Sequence, residues 1–93
     1  MIAQEIAEAL ALRALVWTLD DDDRRAAFLA ATGAAPADLA RGARDPAFLG
    51  AVLDFLLSDE ARVIAFCTDE NLSFDAPLRA RAGLPGGDVP HWT

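Results

Sequence analysis

Apolar residues recur from Ile2 to Leu19 at helical spacing rather than in alternation. On a 100° wheel Ile2, Ile6, Leu10, Ala14 and Trp17 form one stripe, and Leu12, Leu15, Val16 and Leu19 gather on the opposite half beside Glu5 and Glu8. The first stripe is expected to face a core. The second leaves the same helix greasy on its other flank.

Four consecutive acids, Asp20 to Asp23, break this pattern. Asp20 or Asp21 suits the N-cap of a second helix, because a short carboxylate accepts from the open N–H groups of a first turn and favours the positive end of the dipole. Asp20 with Arg24 and Asp21 with Arg25 are spaced as i,i+4 ion pairs. The second helix then covers Asp22 to Thr32 and stops at Gly33, which enters the left-handed region without a Cβ penalty. Pro36 opens a short helix to Arg44 that carries Leu39 inward. Asp45 caps and Pro46 starts the most apolar helix, Pro46 to Leu57, whose polar stripe is only Gly50, Asp54 and Ser58. So broad an apolar face places this helix at the centre of a bundle. Ser58 or Asp59 starts the next helix, about Glu60 to Glu70, with Asn71 as its left-handed stop. A further short helix carrying Leu78 follows.

A faint internal echo runs through these elements when the chain is laid over itself with Phe28 on Phe66. Gly33 then answers Asn71, and Leu39 answers Leu78 after one added residue. The echo is a repeated αα-hairpin, too short for a solenoid, which needs at least three stacked units. From Gly83 to Thr93 the chain is rich in helix breakers and reads as a tail, either flexible or packed back. The expectation is one domain over residues 1–82, an all-α compact bundle of five to six short helices with an irregular C-terminal tail.

Composition agrees with helix. Ala (21) and Leu (13) fill more than a third of the 93 positions, whereas Val, Ile and Thr together number 11, which disfavours a β-sandwich. The chain is long enough for one core only. A single Cys excludes an internal disulfide, and no Cys/His spacing suits a structural zinc. No apolar run approaches the roughly 20 residues of a membrane span, and Glu5 and Glu8 stand where a signal peptide would be basic. A cytoplasmic setting is the resulting expectation.

The segment Asp45-Pro-Ala-Phe-Leu-Gly-Ala-Val-Leu-Asp-Phe-Leu-Leu-Ser-Asp-Glu60, preceded by Phe28-Leu-Ala-Ala-Thr-Gly33 and Asp38-Leu39, resembles the small alphaproteobacterial domain-of-unknown-function family 3572 from about Ala7 to Pro85. The resemblance implies a small helical protein. It carries no catalytic or binding residues to these positions.

Candidate chemistry is sparse. There is no Lys or Tyr, and the one His stands at position 91 in the tail, so a nucleophile with an oriented base cannot be assembled from fixed elements. The chain is expected not to be an enzyme and to hold no cofactor or metal. The aspartate run lacks the glycine and the closing glutamate of an EF-hand loop. Cys67, between Phe66 and Thr68, reads as an inert core thiol. Asp69 and Glu70 sit at the negative end of their helix, where acids are unfavourable, and Arg79 or Arg81 is expected to offset them.

Two functional readings follow. The flank Leu12, Leu15, Val16 and Leu19 is covered by helices 46–57 and 60–70, by the tail through Val89 and Trp92, or by a second molecule, and burying four such side chains would contribute on the order of 1.5 to 3 kcal/mol each. This favours a cytoplasmic interaction or regulatory module that docks to itself or to another protein through that flank. The alternative takes Phe28 to Leu39 as the outline of a helix-turn-helix, with Arg41 and Arg44 as nucleic-acid contacts. With 15 acids against eight Arg and a net charge of −7, binding to phosphate backbones is disfavoured. No membrane association is expected.

Overall fold

Local chemistry sets the ends of the helices. The computed structural model describes residues 3–86, in which α1 (Ala3–Leu19), α2 (Asp22–Thr32), α3 (Leu39–Gly42), α4 (Pro46–Leu57), α5 (Glu60–Glu70) and α6 (Ala76–Ala82) follow one another, with a 3-10 turn at Pro36–Asp38 before α3. No strand occurs among the described residues. Asp21, Asp45 and Asp59 each accept a hydrogen bond from a first-turn N–H of α2, α4 and α5. Gly33 (φ 72°) and Asn71 (φ 58°) end α2 and α5 in the left-handed region.

The helix expected from Pro36 to Arg44 is instead a 3-10 turn running into the four-residue α3. The Asp38 carboxylate accepts from the Ala35 N–H and so holds a tight turn ahead of α3. Gly42 is buried at its end, where a Cβ would stand 2.6 Å from Cδ2 of Phe48.

Helix α4 occupies the centre and packs against α1, α2, α3, α5 and α6. Leu49, Val52, Leu53 and Leu56 are fully buried on it, as the breadth of its apolar face requires. Its polar stripe is covered only in part: Arg81 lies over Gly50 and donates to both carboxylate oxygens of Asp54 at 2.6 and 3.2 Å, while Asp54 and Ser58 stay exposed.

Helix α1 meets this bulk with its small residues. Ala7, Ala11, Ala14, Leu15, Trp17 and Thr18 are its buried positions, and Thr18 returns its hydroxyl to the Ala14 carbonyl. Of the stripe expected to be core, Ala14 and Trp17 are buried, Leu10 is half-buried, and Ile6 is 54% exposed. Alanines let two helices approach closely, so a neighbour as bulky as α4 selects the alanine face. The flanking helices also differ from expectation: α4, α6 and α2 pack along α1, and α5 reaches it at the C-terminal end through Trp17 and Phe66. Leu84 is buried against this core, while residues 87–93, with Val89, His91 and Trp92, lie outside the described part, as does Ile2.

The internal echo is a pseudo-twofold relation. The offset that lays Phe28 on Phe66 also takes α2 and its caps onto α5 and its caps, residue for residue. Arg24 stacks on the Trp17 ring at 3.8 Å and donates to the Trp17 carbonyl, and Arg62 stacks on the Phe55 ring at 3.9 Å and donates to the Phe55 carbonyl. Trp17 meets Phe66 edge-on, and Phe55 meets Phe28 edge-on, which is the same contact with the halves exchanged. The α1–α2 and α4–α5 hairpins therefore exchange these contacts as two related units would, although α2 packs along α4 while α5 meets α1 only at its C-terminal end.

Candidate interaction surface

The four flank residues of α1 do not stay together. Leu15 is 4% exposed and belongs to the core, and Leu19 is half-buried against it. Leu12 (38%) and Val16 (67%) remain on the surface. The outward face of the helix is thus Glu5, Ile6, Ala9, Leu12, Arg13 and Val16, with Asp20 just past its end, all of them exposed.

Beside Leu12 and Val16 lies a surface groove of about 350 Å³, lined also by Arg13, Trp17, Asp20 and Glu70. Its walls are fixed. The Trp17 indole N–H donates to Oδ2 of Asp69 at 2.8 Å, and Arg24 covers the ring. Arg13 donates from Nε to Oε1 of Glu70 and from Nη2 to the Glu70 carbonyl, both at 3.0 Å. Arg13 and Trp17 therefore serve the acids at the end of α5, and the roles expected of Arg79 and Arg81 are not taken. Arg79 pairs with Asp75 instead, and Arg81 with Asp54. An acid at a helix C-terminus is tolerated here because Arg13 meets both the carboxylate and an open carbonyl.

The end of α1 is held the same way. Arg24 donates to the Trp17 carbonyl and Arg25 to the Leu19 carbonyl, so the i,i+4 pairs expected with Asp20 and Asp21 do not form; Arg25 binds Asp22 at 2.6 Å. The aspartate run supplies a cap, and the arginines after it close the preceding helix.

A second groove of about 340 Å³ lies between α2 and α4, lined by Ala31, Thr32, Ala51, Asp54, Phe55 and Ser58. The offset that relates the hairpins maps Arg13, Val16, Trp17 and Asp20 onto Ala51, Asp54, Phe55 and Ser58, and Glu70 back onto Thr32. The two grooves are the same place in the two halves. One has Val16 where the other has Asp54, and the aspartate is bridged by Arg81 within the chain.

Arg41 and Arg44 are exposed beside the short α3, and Arg41 pairs with Asp38 at 2.7 Å. A 3-10 turn and four helical residues make a rod far shorter than a helix laid along a major groove. Among the described residues, no three His, Cys, Asp or Glu side chains converge as a metal site, and no helix is long and apolar enough to cross a membrane. Cys67 is buried, and desolvation, reinforced by the charge of Asp75, pushes its thiol pKa up.

Residues 4–87 match the family model described as protein of unknown function (DUF3572). The chain belongs to that family. Neither the curated proteins nor the solved structures contain a match. Membership thus extends over both halves of the pseudo-twofold body and over both grooves. What the residues alone did not disclose are the partners across that body. Arg13, Trp17 and Glu70 are brought together by tertiary packing, but the offset that pairs Trp17 with Phe55 and Arg24 with Arg62 is visible in the chain itself.

Proposed function

We propose that this member of the family is a non-enzymatic interaction module whose docking surface is the outward face of α1, on which Leu12 and Val16 stand exposed. The observation that carries this reading is the contrast between adjacent positions: Leu15 is sealed in the core, and Val16 stands 67% exposed beside a groove floored by Trp17. A single exposed apolar residue is ordinary. Ile6, Leu12 and Val16 share one helix with a groove whose walls are held by Arg13, Glu70, Asp69 and Arg24. A rigid apolar surface loses little entropy on association, which favours its use as a contact.

The test is affinity capture from the native cell with the intact chain and with a Leu12→Ser/Val16→Ser variant. Both positions are exposed, so the variant is expected to keep the parental melting temperature. A polypeptide held by the parent and released by the variant supports the reading. Equal retention by both contradicts it.

A further inference from the structure

The outward face of α1 is self-complementary about Ala9. Glu5 and Arg13 lie about one helical turn to either side of it, and Ile6 and Leu12 lie slightly closer, again one on each side. Ala9 itself is exposed and small, which permits a close crossing of two helices. We propose that a second copy of this chain packs its α1 antiparallel on this face, on a twofold axis through Ala9. The proposal rests on the docking role of α1 and names its occupant.

Charge selects both the direction and the register. In a parallel pair Glu5 would face Glu5 and Arg13 would face Arg13. In an antiparallel pair centred between Leu12 and Arg13, Glu5 of one copy would meet Asp20 of the other. Centred on Ala9, Glu5 of each copy shares a layer with Arg13 of the other, and Ile6 shares a layer with the other Leu12. Arg13 is the single basic residue of α1 and already binds Glu70 of its own chain, so this register adds a second acid, Glu5 of the other copy, to its layer. The isologous contact uses each residue twice, as a twofold dimer demands.

A groove of about 250 Å³ between α1 and α6, lined by Ile6, Leu10 and Arg79 among others, lies beside the same layer as the Leu12 of the second copy. This accounts for a large apolar side chain left wet on either side of the small Ala9.

The test is disulfide trapping together with sedimentation of the intact chain. Cys67 is buried, so an Ala9→Cys variant carries its accessible thiol at the proposed axis. Ala65→Cys, exposed on α5, is the control. Mild oxidation is expected to convert Ala9→Cys to a covalent pair of twice the single-chain mass and to leave Ala65→Cys single. Glu5→Arg is expected to return the chain to the single-chain mass in sedimentation, and Glu5→Arg/Arg13→Glu to restore the doubled mass. Because Arg13→Glu also sets a carboxylate against Glu70, the Glu5→Arg result and the trapping rate decide the matter if the double variant does not fold. A single-chain species at every concentration, with Ala9→Cys trapped no faster than Ala65→Cys, overturns the proposal. If Leu12→Ser/Val16→Ser then still releases a captured polypeptide, the docking role of α1 survives with a different partner.

Discussion

Adjacent residues of α1 divide the work of the helix. Leu15→Ala removes a buried side chain and is expected to destabilise the fold by about 2 to 5 kcal/mol, whereas Val16→Ala is expected to stay within about 0.5 kcal/mol in chemical denaturation. Gly42 offers a second test: a Cβ there would stand 2.6 to 2.9 Å from three carbons of the Phe48 ring, so Gly42→Ala is expected to displace that ring and cost about 1 to 3 kcal/mol. Cys67 gives a pH test with few competitors, since the chain has no Lys and no Tyr. Burial raises the folded thiol above its ordinary value near 9.0, so the unfolded chain loses its proton first. Stability should hold below that value and fall as pH rises from there toward the folded value, with the slope absent in Cys67→Ala. An alkaline slope that persists in that variant contradicts the assignment.

Elements were legible where their ends are decided by a few neighbouring atoms. Asp21, Asp45, Asp59, Gly33 and Asn71 act within one turn, and the helices they bound follow from the residues alone. The face that α1 buries was not legible, because a wheel weighted by hydrophobicity favours Ile6 over Ala7, and the choice belongs to the bulk of α4 opposite. Leu15 and Leu19 left the candidate surface for the same reason. The length of α3 was missed because Pro36 announces a helix start but Asp38 holds a 3-10 turn. At this scale Asp21→Ala and Asp59→Ala are each expected to cost about 1 kcal/mol in thermal unfolding, alike because they cap equivalent helices.

The whole molecule behaves as two hairpins that imitate one another and are joined in a single chain. Its halves share caps, stop residues, stacked arginines and grooves, yet diverge where Val16 answers Asp54. Arg81 bridges Asp54 in the second half, and no side chain of the described residues makes the corresponding bridge to the apolar Val16. That asymmetry, with Val16 unbridged among the described residues, is the basis of the docking role proposed for α1. Sedimentation equilibrium of the intact protein beside Leu12→Ser/Val16→Ser tests this most directly. Twofold packing through α1 predicts a doubled mass for the parent and the single-chain mass for an equally stable variant; a parent and variant that sediment alike would contradict it.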